Sequence, residues 1–445
     1  MMRLTRRDFA RSVSSIGAGL WLGALPGPAV SQSANEQLNV AFVGVGKGGV
    51  GGVANLPAIS GLPAVRVAAL CDIDDQYAGP SYAKHPKAPR YHDFRRMLDR
   101  QKDIDAVVVS TPDHTHAVIS VEAMRRGKHV YCEKPVARTI YEARVMQQVA
   151  AKHNVVTQMG NQGTGEPKFR LLVDLIRSGT LGTVREVHAW TNRPTWPQGD
   201  LKIPKQRPAV PKYLKWDLFL GPAAERHYHA AYHPFVWRGW WDFGTCVLGD
   251  MACHITNHAF FGLDLGSPTR VEAVAEGHNE VTGPKSAVIR YDFPARGQQP
   301  PVRMTWYEGG RQPPKEVWHG WKAPLPTNGA LLIGDKGAVI TLNMYGWDWR
   351  LLPAEKWRDY KRPEEEPPRG HHYEWVLACR GQAKTRSNFD YACPMTESLL
   401  VGNLAIRTGR PIDWDAQAMK ATNCPEADEL IRPEFRKGWS LKADD

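Results

Sequence analysis

The chain contains no C-x-x-C pair, and its seven cysteines are odd in number and scattered over 445 residues. That pattern is not a disulfide framework. Cys71 and Cys132 close apolar runs, Ala68-Ala-Leu-Cys71 and Val130-Tyr-Cys132, where a thiol reads as a small buried hydrophobe. There is no block of five or six like charges and no basic run interleaved with aromatics, so the net charge of +11 does not indicate nucleic-acid binding. No internal repeat is evident. Beyond the amino-terminal segment, no apolar run approaches the roughly 20 residues needed to cross a bilayer.

The amino terminus itself reads as a leader. Met-Met-Arg-Leu-Thr-Arg6-Arg7-Asp-Phe9-Ala-Arg11 precedes a short apolar and small-residue segment, Val13 to Leu25, and then Pro-Gly-Pro-Ala-Val-Ser31. A charged start, a short apolar stretch and a small-residue exit make a signal peptide, and the Arg6-Arg7 pair gives it the twin-arginine form. Residues 1–33 are therefore expected to be removed on export through the twin-arginine machinery, placing the mature protein in the periplasm or otherwise outside the cytoplasm. The leader holds four arginines against one aspartate, so its loss lowers the net charge to +8.

The remaining length, with 42% apolar and 23% charged residues overall, suits two domains with ordinary cores. The first, expected over residues 34–179, opens with Leu38-Asn-Val-Ala-Phe-Val43, a strand-type run that empties into glycines. Gly44, Gly46 and Gly49 fit G-x-G-x-x-G, which gives a tight turn, close approach of backbone to a pyrophosphate, and close packing of the next helix. Alone, such a cluster serves equally well to reverse a chain. Asp72, at the end of a second apolar run (Val65 to Cys71), stands where an acid accepts hydrogen bonds from adenosine ribose and repels a 2′-phosphate. NAD is thus favoured, with NADP the alternative, and an ordinary turn aspartate is the competing reading.

Alternation continues through a β-rich run at 106–110, a helix at 116–126, a short strand at 129–132, a helix at 140–153 and a strand at 155–159. This is the pattern of a doubly wound parallel sheet. Two turns at its carboxyl edge carry polar chemistry: Thr111-Pro112-Asp-His114-Thr-His116 and Glu133-Lys134-Pro135. From residue 180 to 445 the texture becomes strand-rich, with runs at 184–193, 271–276, 286–291, 301–307, 330–333 and 338–342, indicating an α+β domain with a mostly antiparallel sheet. Helices at 372–380 and 394–407 are expected to pack back across the domain junction. Sixteen tryptophans, among them Trp190, Trp196, Trp237, Trp240, Trp241, Trp306, Trp318, Trp321, Trp347 and Trp349, suit sugar rings and large cores equally.

Gly44-Val-Gly46, Ser110-Thr-Pro-Asp-His-Thr-His-Ala117, Cys132-Glu-Lys-Pro135 and Gly249-Asp-Met-Ala-Cys-His254, in this order, resemble the glucose–fructose oxidoreductase, inositol dehydrogenase and MocA (Gfo/Idh/MocA) family over nearly the whole mature chain. The resemblance implies an open second sheet that commonly makes subunit contacts, hence a homo-oligomer, and a tightly held NAD. The cofactor contacts it suggests are Gly44, Gly46, Gly49, Asp72, Thr111, Pro112, His114, His116, Glu133, Lys134 and Asn161, with Arg238 by analogy. It places Lys134, Asp250 and His254 at the substrate.

The segment 247–261 reads as one helix carrying Asp250, His254 and His258 on one face. Zinc ligation by these three is a minor alternative, and no metal is expected. A histidine near its ordinary pKa of about 6.5 accepts a hydroxyl proton at neutral pH. His254 is accordingly the expected base, Lys134 the cation beside the developing alkoxide, and Asp250 the orienting group. The substrate class is a sugar, cyclitol or related polyol. The runner-up activity is redox-neutral glycoside cleavage through transient oxidation of the sugar.

Overall fold

Six parallel strands hold the first third of the molecule: β1 (Leu38–Val43), β2 (Val65–Cys71), β3 (Arg90–Tyr91), β4 (Ala106–Val109), β5 (His129–Glu133) and β6 (Thr157–Gly160), in the order β3-β2-β1-β4-β5-β6. These features come from a computed structural model that describes residues 37–441; the expected leader, residues 1–33, lies outside the described residues. Strands β1 and β4 are almost wholly buried, as parallel strands covered by helices on both faces must be.

The helices between the strands are set by local signals. After α1 (Leu56–Ser60), Asp74 caps α2 (Asp75–Lys84) by accepting from the amides of Gln76 and Tyr77, and Asp93 caps α3 (Phe94–Arg100) through Arg95 N. Helix α4 (Asp113–Arg125) follows β4. Helix α5 (Ile140–His153) starts in a reciprocal capping box between Thr139 and Glu142 and ends at Asn154 in the left-handed conformation.

Helix α6 (Pro167–Arg177) leads to a nine-stranded sheet with the order β13-β12-β11-β7-β10-β9-β8-β14-β15. Its strands are β7 (Val184–Thr191), β8 (Arg270–Glu276), β9 (Ser286–Phe293), β10 (Val302–Glu308), β11 (Asn328–Gly334), β12 (Gly337–Thr341), β13 (Trp349–Leu352), β14 (Ile412–Asp415) and β15 (Lys420–Ala421). The sheet is mixed and mostly antiparallel; β7 and β10 run parallel. Trp190, Trp306 and Trp349 lie within these strands and are fully buried, so they fill the core and offer no face to a sugar.

Four further helices are α7 (Trp216–Leu220), α8 (Cys246–Ile255), α9 (Asn257–Leu263) and α10 (His371–Cys379); α8 packs on the second sheet, α9 on α6, and α10 with α1 on the first sheet. Helix α11 (Phe389–Thr408) begins five residues earlier than its apolar pattern suggests, because Asn388 caps it by accepting from Tyr391 N. It joins the two sheets. Glu397 accepts a two-point contact from Arg144 of α5 at 2.9 and 2.7 Å, while Tyr291 of β9 donates to Leu399 O. His371 Nε2 and Met159 O of β6 are 2.7 Å apart, and Gln158 Nε2 donates to His371 O.

All seven cysteines are free and buried. No helix of the described residues is long and apolar enough to cross a membrane.

Candidate active site

The glycine turn after β1 is built by close contacts. Gly44 has φ +84°, and a Cβ there would meet the Ser110 carbonyl at 2.7 Å, so only glycine fits. A Cβ on Gly51 or Gly52 would overlap the carbonyl oxygens of Gly44 and Val45, whereas one on Gly49 would meet nothing nearer than 4.0 Å. The close helix-to-strand packing expected of Gly49 therefore falls to Gly51 and Gly52, and Gly49 instead faces the cleft.

That cleft runs along the carboxyl edge of the first sheet. At its glycine end Asp72 is buried, with Oδ2 accepting from Val45 N at 2.8 Å and Oδ1 from Asp74 N at 3.0 Å. Burial pushes the Asp72 carboxyl up to about 6, against the pull of those two amides. The neighbouring Asp74 is paired with His233 at 2.8 Å, and His233 also lines the cleft.

Thr111 and Pro112 line the middle of the cleft. His116 sits on its wall with both ring nitrogens 2.8 Å from carbonyl oxygens, those of Thr111 and Pro135. It clamps together the turns that follow β4 and β5.

His114 does not reach the cleft. It is fully buried between the Phe219 and Phe243 rings, with ring nitrogens 2.7 Å from Phe219 O and 3.2 Å from Phe243 O, and burial drives its pKa down to about 3. Its position is structural because a spacing of two along a helix turns His114 and His116 to different sides.

Glu133 accepts from Asn55 Nδ2 at 2.8 Å and from Gln162 Nε2 at 3.1 Å, and Asn55 also donates to Ser110 Oγ. Burial raises the Glu133 pKa. This network ties the helix after the glycine turn to the end of β5.

At the far end Lys134 Nζ donates to the main-chain oxygen of Asp250 at 2.6 Å and to its Oδ1 at 2.8 Å. Arg238 Nε stands 3.5 Å from the same Oδ1, its guanidinium 4.3 Å from the Trp237 ring and 4.4 Å from the Phe235 ring. Burial alone would raise the Asp250 pKa, yet the Lys134 and Arg238 charges bring it to about 2.

Asp250 is aimed by its helix. Asp113, at the start of α4, accepts from both the amide and hydroxyl of Thr245 at 2.9 and 2.7 Å, anchoring the first turn of α8 to the first sheet. A Cβ on Gly249 would run into the Thr245 hydroxyl. Neither Asp113 nor Thr245 stood out in the sequence, although Asp113 lies inside the Thr-Pro-Asp-His motif.

The expected single helix from 247 to 261 is broken. Helix α8 ends at Ile255, where Thr256 turns its hydroxyl back onto Ala252 O, and α9 begins at Asn257. His254 remains one turn beyond Asp250, buried, edge-on to Tyr345 at 5.1 Å, with Nδ1 unpaired; it does not line the same cleft wall. Burial, then the Lys134 charge, lowers its pKa to about 3 rather than leaving it near 6.5.

His258 is on the next helix, fully buried. Asn161 is also buried, off the cleft wall, with its side-chain amide unpaired. Among the described residues no group of three His, Cys, Asp or Glu side chains is arranged to hold a metal ion.

Residues 38–161 match the family described as oxidoreductase family, NAD-binding Rossmann fold, and residues 171–295 match the C-terminal alpha/beta domain of the same oxidoreductase family. The chain belongs to the Gfo/Idh/MocA family. Its first domain is thus an NAD-binding Rossmann domain, and the cleft fits that ligand: glycine backbone where a Cβ is barred, a buried carboxylate at the end of β2, and a cation at the end of β5.

A glycosyl hydrolase family 109 protein of Solibacter usitatus is 32% identical over 201 residues, 41% of this chain and 44% of that protein. The chain spans less than half the length of the first curated relatives it matches. Among solved structures, the aldose–aldose oxidoreductase of Caulobacter crescentus complexed with glycerol superposes with TM-score 0.57 at 19% identity, covering 85% of this chain and all of that one. The WlbA dehydrogenase of Bordetella pertussis, in complex with NADH and UDP-GlcNAcA, gives 0.59 at 17%, covering 85% and 99%. At these identities the likeness is one of fold.

Proposed function

We propose that the protein is an exported NAD-dependent oxidoreductase that moves a hydride between a tightly held nicotinamide cofactor and a carbon of a sugar, cyclitol or related polyol. The observation that carries this reading is the Lys134–Asp250 pair at the end of a cleft that starts at the glycine turn. Gly44 to Gly49 would cradle the pyrophosphate and Asp72 the adenosine ribose. When bound, the nicotinamide supplies the hydride acceptor.

The protein's own work is to hold the substrate oxygen and manage its proton. Two of the three Lys134 protons go to Asp250, which leaves one to stabilise negative charge on a substrate oxygen. Asp250 fixes the direction of that cation. His254 is kept as the proton acceptor on the family resemblance: burial holds it neutral one turn from Asp250, and its unpaired Nδ1 is buried off the cleft wall, so the acceptor role requires the substrate to reach past that wall. Beside His254 the stacked rings of Tyr345 and Trp347, 4.6 Å apart, offer an aromatic surface of the kind the apolar faces of sugars rest on.

The second reading is glycoside cleavage with catalytic NAD, which the glycosyl hydrolase family 109 relatives favour. It consumes no net oxidant, and this suits a protein working away from the cytoplasmic nicotinamide pool. Export itself rests on Arg6-Arg7 and the leader pattern. A homo-oligomer through the open sheet is part of the proposal and rests on the family resemblance.

Denaturing the purified protein and identifying any released nucleotide tests the cofactor, and a panel of sugars and aryl glycosides separates the readings. A keto sugar with reduced nicotinamide supports the first, and aglycone release without net reduction supports the second. A protein that neither contains nor binds a nicotinamide dinucleotide would overturn both.

A further inference from the structure

The last described residues return to the cleft. After α12 (Asp428–Ile431), Arg436 donates from Nε to Gly221 O at 3.0 Å and from Nη2 to Asp217 O at 2.7 Å, and it pairs with the carboxylates of Asp217 and Glu225. Five residues on, Leu441 O accepts from Arg125. Between these two staples Trp439 is held against Phe94, ring centroids 6.1 Å apart, and under the Arg95 guanidinium at 4.5 Å. Arg95 is itself fixed by two-point contact with Asp93. Trp439 reaches the cleft wall together with Ile73, His92 and Phe94.

The strand order says which end of the cleft this is. The glycine turn follows the central strand β1; β2 and β3 lie to one side of it, β4 and β5 to the other. Lys134 follows β5, so the reacting half of a dinucleotide belongs on that side. The adenosine half belongs on the β2 side, with Asp72. Ile73 follows β2, and His92 and Phe94 follow β3, which puts Trp439 beyond Asp72 on the adenosine side.

We propose that Trp439 closes the adenine end of the cleft and presents its ring to the base, and that residues 433–441 are a strap that retains the nucleotide. This rests on the NAD-dependent reading above and gives a physical basis for tight retention: the strap is stapled at Arg436 and Leu441, so releasing the base requires moving a residue that is tied down on both sides. Aromatic stacking on a base is effective without reading its hydrogen-bonding edge.

The test uses full-length, nucleotide-free protein and calorimetric titration with AMP, with nicotinamide mononucleotide and with NAD. Trp439→Ala is expected to weaken AMP and NAD by roughly 5- to 150-fold, the effect of losing one base–aromatic stack, and to leave the mononucleotide unchanged. Trp439→Phe should keep most of the affinity, and Arg436→Ala should speed NAD dissociation. Unchanged AMP affinity in Trp439→Ala would overturn the proposal, as would equal losses for AMP and the mononucleotide. Wild-type protein that binds no dinucleotide would instead bring down the functional reading, and the strap with it.

Discussion

Lys134 Nζ lies 2.6 Å from the backbone oxygen of Asp250 and 2.8 Å from its carboxylate, joining the end of β5 to the middle of α8. The contact couples the two sheets at the point where chemistry is expected. Removing one partner of a buried pair strands the other, which typically costs about 3–5 kcal/mol. Asp250 keeps Arg238 as a second counter-charge, so Lys134→Met should fold. It is expected to lower kcat by about 10²- to 10³-fold, the usual effect of losing one oxyanion donor, while NAD affinity changes little. Steady-state kinetics with parallel NAD titration checks this, and a large loss of NAD affinity at unchanged kcat would place Lys134 in cofactor binding alone.

The His254 imidazole should show no protonation near its ordinary pKa. Burial and the Lys134 charge lower it to about 3, so the base form persists as pH falls from 8 to about 5. The kcat/KM profile is expected to have no limb near 6.5 attributable to this residue. A limb there that disappears in His254→Asn would contradict it.

Most of the frame could be read from residue order alone. The β1–glycine–β2 run, the alternation to β6 and the strands β7 to β12 follow period and turn chemistry, which are local. What escaped was set mostly by tertiary contact. The burial of His114 depends on Phe219 and Phe243, more than 100 residues away, whereas the break at Thr256 is local, at a residue whose hydroxyl turns onto Ala252 O four residues back. Trp190, Trp306 and Trp349 could not be told from binding-surface tryptophans until their strands were paired. Trp439 carried no motif, and its place is fixed by Arg436 and Arg125 contacts to distant segments.

The glycine turn makes a separable prediction. Gly51→Ala should cost the fold itself, because its Cβ overlaps the Gly44 carbonyl. Gly49→Ala should melt near the wild-type temperature while weakening dinucleotide binding, since its Cβ points into open cleft. Thermal melts with and without NAD distinguish the two positions, and equal melting losses would contradict the assignment.

Glu308 is fully buried with Trp306 Nε1 donating to it at 2.8 Å, and burial raises its pKa from 4.5 to about 8. The native state therefore holds a proton that the unfolded chain releases above about pH 4.5. Stability from this group is present below that value and is lost as pH rises through 8. Glu308→Gln should melt close to wild type at pH 5 and gain stability over it at pH 9, by an amount on the order of 4 kcal/mol. Identical pH dependence in the two proteins would show that the carboxyl is ionised in the fold.

Both catalytic readings require hydride to leave a substrate carbon for the nicotinamide. The most direct measurement is incubation of the NAD-loaded protein with carbon-deuterated aldoses, inositols and aryl glycosides, followed by mass spectrometry of the dinucleotide. Deuterium on the nicotinamide from at least one substrate, trapped by acid quench within the first turnover because the redox-neutral reading returns it to the sugar, is the predicted result. Substrate turnover with neither label in the quenched dinucleotide nor a deuterium isotope effect on the rate would contradict the account.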